Sequence, residues 1–294
     1  MAPATRSSLM VDRMPLDFPN IVPQNNLRLP DALTIKHGPA RLLARFVLAA
    51  DRAARRKGIL LRVRHDFDEL LRLNKFYVAR DLWYPLVDAF NPNCMELTPE
   101  NAFWLSGEDE NGEVVLTNAC RIYNWTGSNL AEQACTLWYG RDDGRPCVVT
   151  AEAAASITGG VAWGGASWVR PDYRGRHLSY LVPRIMKAYA CARWPIDWSI
   201  CYIGIENVSR GLAATYGHKS LSYSITYPGS HLGEMVLAYT SADDFYYELT
   251  AYMEADGSVI EPRDFQEISI PTGFEQRVTN TSPVGVFQGS ISRS

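Results

Sequence analysis

The sequence has little of what metal sites, membrane spans and secreted proteins require. Its six cysteines form no CxxC pair and its five histidines no HxxxH or HExxH spacing, so we expect no metal site. The longest apolar runs fall well short of the roughly 20 residues that a transmembrane helix needs. The first 20 residues lack the apolar stretch of a secretory signal. These absences predict free thiols in a reducing cytoplasm and no membrane partner.

A surplus of one charge is absent as well. The chain has 29 Lys and Arg against 32 Asp and Glu, which gives no electrostatic reason to expect a nucleic-acid partner. It lacks a GxSxG elbow, a Walker loop and a GxGxxG fingerprint, which argues against a hydrolase triad, nucleotide hydrolysis and NAD chemistry. Apolar residues make up 47% of the chain, which is ample for a buried core.

Hydrophobic periodicity divides the chain into three parts. Residues 1–58 read as an irregular, proline-containing arm followed by an amphipathic helix, and residues 255–294 as an extended or partly disordered tail. Between them, residues 59–254 alternate strands with helices, which predicts a layered α/β or α+β domain with helices covering a mixed sheet. The elements expected before residue 140 are a helix at 38–57, a strand at 59–64, helices at 66–77 (capped by Asp66) and 80–90, a hairpin at 102–123, and a helix at 128–139 capped by Ser128.

The most informative stretch follows a strand predicted at 160–170. A turn containing Arg174, Gly175 and Arg176 leads from this strand into a helix that ends near Arg193. Unpaired backbone N–H groups at a helix N-terminus, together with the positive end of the helix dipole, bind anions. Arginine side chains add a planar fork that grips phosphate. We therefore expect a diphosphate-binding loop in this turn.

A second strand, a short helix and a third strand complete this segment. The strand at 198–205 runs into Glu206 and Asn207, a short helix covers about 209–216, and a further strand follows at 220–227. With ValArgProAspTyrArgGlyArgHisLeuSer at 169–179 and AsnValSerArgGlyLeuAlaAlaThrTyrGly at 207–217, the segment resembles the GNAT superfamily of acyl-CoA N-acyltransferases. The resemblance implies a mixed, mostly antiparallel central sheet flanked by helices.

The same resemblance implies acetyl-CoA, or another acyl-CoA, as cosubstrate. Trp168 and Val169 would pair with the pantetheine arm like an added strand, and Asn207 would bond to the same arm. The diphosphate would lie on the backbone of the loop formed by Arg174, Gly175, Arg176, His177, Leu178 and Ser179.

The implied reaction transfers the acyl group to a primary amine by direct attack. The attacking amine must be neutral, and the departing thiolate gains from a proton donor. Glu206 is the candidate base, with a surface carboxylate as the alternative interpretation, and Tyr216 is the candidate donor, with a core tyrosine as the alternative. The acceptor is expected to be an amine-bearing small molecule or protein, and a homodimer stays open.

Two departures from the family pattern support other hypotheses. Asp172 stands where the family has Gln or Arg, and His177 where it has Gly or Ala. The second hypothesis is therefore a catalytically degenerate CoA-binding sensor or scaffold. The small residues Gly164, Gly165 and Ala166 suggest a third, an acyltransferase that uses a longer acyl-CoA.

Aromatic side chains are candidates for an acceptor pocket, although aromatic residues in a sheet-rich core usually serve packing. The candidates are Trp104, Tyr123, Trp125, Trp138 and Trp163.

Overall fold

A computed structural model describes residues 27–139, 144–228 and 233–254. The first 26 residues of the predicted arm and the predicted tail at 255–294 lie outside these ranges, and the division into parts at 58/59 and 254/255 stays a prediction. The helices are α1 (Leu29–Ala32), α2 (Ala40–Arg56), α3 (Phe67–Val78), α4 (Leu130–Tyr139), α5 (Leu178–Arg193), α6 (Ile205–Ser209), α7 (Leu212–Thr215) and α8 (Ala242–Glu254). The strands are β1 (Leu27–Arg28), β2 (Leu60–Arg64), β3 (Ala102–Glu108), β4 (Val114–Trp125), β5 (Val148–Val149), β6 (Gly159–Val169), β7 (Trp198–Gly204), β8 (Ser220–Thr226) and β9 (Glu234–Ser241).

All of these strands form a single sheet. Their order is β1-β2-β3-β4-β6-β7-β9-β8-β5, and β6 with β7 is the parallel pair among otherwise antiparallel neighbours. A parallel pair needs a crossover, and α5 supplies it between the two strands. The predicted mixed, mostly antiparallel sheet flanked by helices is therefore confirmed.

Helices cover both faces of the sheet. On one face, α2, α5 and α8 pack over alternate residues of the strands, among them Phe103, Leu105 and Ala162. On the other face, α3, α4 and two 3-10 turns, Asp88–Phe90 and Glu152–Ser156, pack over the intervening residues, which include Trp104 and Trp163. We call the first the α5 face and the second the aromatic face. The period of two along each strand separates these two cores.

Local signals account for several of the elements. The apolar stripe of α2 is buried against the sheet, including Leu43, Phe46 and Val47, as its periodicity predicts. Asp66 caps α3, since its Oδ1 accepts a hydrogen bond from the Glu69 backbone N–H at 2.9 Å. The predicted hairpin is also confirmed by the pairing of β3 with β4.

Three local predictions are wrong or shifted. No α-helix forms over 80–90, where only the 3-10 turn is helical, because Pro85 interrupts the segment and Asn74 bonds the backbone of residues 84 and 86. Asn129 caps α4 instead of Ser128, since its Oδ1 accepts from the Glu132 N–H at 3.1 Å. The helix expected at about 209–216 is split into α6 and α7 at Gly211, where φ is +75°.

Candidate active site

The centre of the candidate site is the point where β6 and β7 separate. The two strands pair in parallel from Val161 opposite Trp198 to Gly164 opposite Cys201, and their register ends there. Beyond Gly164, β6 continues to Val169, so one edge of its last residues is not paired with β7. We call this divergence the fork. An unpaired strand edge offers backbone N–H and C=O groups to an extended ligand.

A bulge shapes β6 just beyond the fork. Thr117 pairs with Trp168 and Ala119 with Gly165, so β6 carries one more residue than β4 between these pairs. Ala166, inside the bulge, has a φ of +46°, and its carbonyl accepts a hydrogen bond from Thr117 Oγ1 at 2.8 Å. The bulge therefore turns the backbone locally and is held in place by β4.

The predicted phosphate loop follows directly at the end of β6. Asp172 is not a free charge in this loop, because Arg170 binds its carboxylate with contacts of 2.8 and 3.0 Å. This ion pair helps to lower the pKa of Asp172 below its ordinary value, although partial burial opposes it. Asp172, which differs from the Gln or Arg of the family pattern, thus places beside the loop a carboxylate whose charge Arg170 neutralises.

The loop presents its glycine and its cations to solvent. Gly175 has a φ of +77°, and a Cβ added there would meet nothing within 4 Å. Arg174 Nε donates to the Val169 carbonyl at 3.1 Å, and Arg176 donates to the Lys57 carbonyl at 3.1 Å. Both arginines are exposed beside the N-terminus of α5. The loop therefore combines two cations with the positive end of a 16-residue helix.

The other predicted binding residues differ in what they offer. His177 is exposed and adopts the left-handed conformation as the N-cap of α5, without a side-chain cap bond. Leu178 is buried, and Ser179 is half-buried in the first turn, so both contribute backbone N–H groups that lack intrahelical acceptors. Trp168 is buried, with its indole N–H bonded to the Leu82 carbonyl at 2.9 Å, and only its backbone can serve a ligand.

The segment after β7 carries the remaining predicted residues. Glu206 and Asn207 are exposed on α6, and Glu206 lies 4.0 Å from Arg210. Tyr216 follows α7 and packs against the apolar cluster that includes Ile203. Burial raises the pKa of the Tyr216 hydroxyl well above its ordinary value, so the phenol stays protonated at neutral pH. Glu206 and Tyr216 thus occupy opposite ends of the α6–α7 segment.

Two fully buried cations of α5 hold this segment, and the sequence reasoning missed both. Arg184 donates to the Thr215 carbonyl at 2.7 Å and binds Glu248 Oε1 at 2.6 Å. Lys187 Nζ donates to the carbonyls of Tyr216, at 2.9 Å, and Gly217. Three successive carbonyls at the end of α7 are thereby satisfied from α5. Their only sequence signal is that both cations fall on the apolar side of a helix.

The proposed pocket aromatics lie together on the aromatic face. Trp104 is fully buried and bonds the Asp66 carbonyl at 3.0 Å, so it serves packing and α3. Trp163 contacts Phe90 and Tyr202 with ring centroids 5.0 and 5.6 Å apart. The remaining three candidates, also in this cluster, are Tyr123, Trp125 and Trp138.

Arg121 is a further residue of this face that the sequence reasoning missed. It is 9% exposed and pairs in register with Trp163, the residue before Gly164 at the fork. Its guanidinium lies 5.1 Å from the Tyr123 ring centroid. A buried arginine in an alternating strand is the signal that could have found it.

The described residues contain neither a cluster of metal-ligating side chains nor a helix suited to crossing a membrane. No group of three or more metal-ligating side chains occurs among them, and the six cysteines are free. Among the same residues, no helix combines the length and the apolar character needed to cross a membrane.

Comparisons with known proteins begin with two negative results. No family model matches the chain. No curated protein matches it either.

Several solved structures are similar to it in fold. A protein of unknown function from Bacillus halodurans is 14% identical with a TM-score of 0.40, over 67% of this chain and 92% of that one. Arabidopsis thaliana NAA60, bound to a bisubstrate analogue, is 12% identical with a TM-score of 0.41. The match covers 62% of this chain and 97% of that one. A putative arylalkylamine N-acetyltransferase of the mosquito Aedes aegypti is 16% identical with a TM-score of 0.40. The match covers 62% of this chain and 88% of that one. Similarity at this level does not carry an activity from those proteins to this chain.

Proposed function

We propose that this chain is an acyl-CoA-dependent N-acyltransferase that transfers an acetyl group from acetyl-CoA to a primary amine. The observation that supports it is the fork, because the unpaired edge of β6 leads straight into a cationic loop at the N-terminus of α5. An extended arm with a diphosphate at one end fits this arrangement. Free cysteines throughout the chain accord with a cytoplasmic location as part of the same proposal.

Binding of the cosubstrate would use backbone groups more than side chains. The pantetheine arm would pair with Trp168 and Val169 and reach Asn207, which is exposed on α6. The diphosphate would lie over Gly175, where the backbone is open to close approach. The cations of Arg174 and Arg176 and the N–H groups of 177–179 would neutralise it.

The reaction would be direct attack of the amine on the thioester carbonyl. A carbon–nitrogen bond forms, the carbon–sulfur bond breaks, and the thiolate leaves with a proton from Tyr216, which solvent then reprotonates. Glu206 would take the proton that the amine loses, through water because its carboxylate is exposed. Positioning contributes most of the rate enhancement, on the order of 7–11 kcal/mol for well-oriented reactants.

The decisive experiment is calorimetric titration of the protein with acetyl-CoA. Wild type should bind with a micromolar Kd, and Gly175→Glu should weaken binding at least tenfold, since it places a carboxylate where the diphosphate lies. Gly112→Glu is the matched control, because Gly112 has a similar φ of +78°, is equally open, and lies in the β3–β4 turn. This control should bind acetyl-CoA as wild type does.

The outcomes separate the three hypotheses. Binding followed by release of free CoA with a panel of amines supports the acetyltransferase. Binding without turnover favours the sensor or scaffold, and binding of longer acyl-CoAs in place of acetyl-CoA favours the third hypothesis. Absence of binding to every acyl-CoA, or equal binding by Gly175→Glu, would overturn the proposed site.

A further inference from the structure

Arg121 is a buried cation without a counter-ion among the described residues. Its Nη1 reaches the Ala89 carbonyl only at 3.4 Å, and its guanidinium contacts the neutral side chain of Tyr123. Its Nε has no hydrogen-bond partner in the described part of the chain. No carboxylate of the described residues forms an ion pair with it, and the neighbouring Asp88 is held by Arg145 at 3.3 Å. Buried charges in proteins are ordinarily paired, so this guanidinium calls for a ligand.

A second unpartnered donor lies beside it. The indole Nε1 of Trp163 is buried and also makes no hydrogen bond within the described ranges. Trp163 and Arg121 are register partners on adjacent strands and share the aromatic face. Cross-strand partners have neighbouring side chains. Two N–H groups that lack hydrogen-bond partners among the described residues, Arg121 Nε and Trp163 Nε1, are thus carried by neighbouring side chains.

The chemistry of these donors selects the group they would bind. Guanidinium and indole N–H groups donate and do not accept. An ionised carboxylate only accepts, and its two oxygens can receive hydrogen bonds from both donors together. The surrounding side chains, Phe90, Tyr123 and Tyr202, are aromatic and suit an apolar body next to that carboxylate.

This donor pair lies close to the proposed reaction point. Trp163 directly precedes Gly164, where β6 and β7 part. With strands about 4.8 Å apart and a rise of about 3.4 Å per residue, the Cα atoms of Arg121 and Gly164 are about 6 Å apart. The backbone position of Arg121 therefore lies next to the fork.

We propose that Arg121 and Trp163 bind the carboxylate of the acceptor, so that the preferred acceptor is an amine that also carries a carboxylate and an apolar or aromatic body. The proposal rests on the proposed acyl transfer for its reaction but not for the binding of the carboxylate. It makes Arg121 a specificity-determining residue of the acceptor side.

Paired acceptors test the proposal through the reaction. The pairs are L-phenylalanine with phenethylamine and L-leucine with 3-methylbutylamine, which differ by the carboxylate, with CoA release measured by chromatography. Wild type should use the carboxylate-bearing member with a kcat/KM at least about tenfold higher, because the amine alone leaves both donors unpaired. In Arg121→Met the ratio of kcat/KM between the carboxylate-bearing acceptor and its amine partner should fall to near one. In Arg45→Met, which removes an exposed arginine of α2, it should not change.

A binding measurement tests the same site without the reaction. Titration with 3-phenylpropionate, which has no amine, should give saturable binding to wild type, with weaker binding to Trp163→Phe and none to Arg121→Met. If acyl transfer fails but this pattern is found, the carboxylate site stands and the proposed function falls. If Arg121→Met does not fold, the wild-type ratio and Trp163→Phe decide. A wild-type ratio near one, or absence of 3-phenylpropionate binding, would mean that the donors hold only water and would overturn the proposal.

Discussion

The buried ammonium of Lys187 makes the stability of the protein depend on pH in a way that one substitution can isolate. Lys187 is fully buried, and desolvation lowers its pKa from an ordinary value of 10.5 to about 8, with Arg184 adding to the effect and Glu248 opposing it. One pKa unit corresponds to about 1.4 kcal/mol. Keeping Lys187 charged in the folded protein therefore costs about 3 kcal/mol relative to the unfolded chain.

The sign of the effect follows from proton binding. Between pH 8 and 10.5 the unfolded chain holds the Lys187 proton while the folded protein has released it, so this residue makes stability rise with pH. From pH 7 to 9.5 the gain is about 2 kcal/mol, since the slope is about 1.4 kcal/mol per pH unit above pH 8. Buried tyrosines and cysteines with raised pKa values act in the opposite direction in the same range.

The assay is urea unfolding of wild type and Lys187→Met at pH 7, 8, 9 and 9.5. Tyrosines and cysteines are common to both proteins, so the difference in unfolding free energy isolates Lys187. That difference should move in favour of wild type by about 2 kcal/mol across the range. The variant also loses the bonds to the Tyr216 and Gly217 carbonyls. This loss shifts its whole plot of unfolding free energy against pH without changing the slope of that plot.

Lys219→Met is the matched control, because Lys219 is exposed and paired with Asp244. Across the pH range, its stability difference from wild type should change by much less than the about 2 kcal/mol expected for Lys187→Met. A constant difference for Lys187→Met, within about 0.5 kcal/mol, would refute the inference that a buried ammonium is held at the end of α7.

Two further substitutions test the local packing. Asp66→Ala should lower the free energy of unfolding by about 1 kcal/mol, because it removes the cap that accepts the Glu69 N–H, and an unchanged urea midpoint would contradict that role. Gly165→Ala should cost about 1–3 kcal/mol, because the new Cβ would lie 2.4 Å from Phe90 Cε2. The Cβ added by Gly204→Ala would have no atom within 4 Å, so this variant should change thermal stability far less. Equal losses of stability at both positions would contradict the packing argument.

Much of the fold could be predicted from local signals in the sequence. The stripe of α2, the cap at Asp66 and the β3–β4 hairpin are short-range patterns, and each is found where periodicity or turn chemistry placed it. The failures have local causes as well. The helix expected at 80–90 gave way to Pro85 and to the backbone bonds of Asn74, a contact between distant positions that periodicity does not encode.

The candidate site likewise combines a part that the sequence predicts with a part that only tertiary contacts decide. The loop from Arg174 to Ser179 is contiguous, so its composition alone predicted a cationic turn at a helix N-terminus. The fork depends on where the pairing of β6 with β7 stops and on the bulge at Ala166 just beyond it, and both arise from contacts between strands that are distant in the sequence.

By itself, the sequence determined the alternation of elements, the hydrophobic faces and the cationic character of one loop, since these depend on neighbours within a few residues. Only the tertiary structure decided which polar side chains became buried and what they met. Arg184 and Lys187 reach carbonyls about 30 residues away. Arg121 and Trp163 are register partners on adjacent strands, and Arg121 Nε and Trp163 Nε1 find no acceptor among the described residues. The physical reason is that burial and hydrogen-bond partnership belong to the packed assembly of strands and helices, whereas propensity belongs to the local chain.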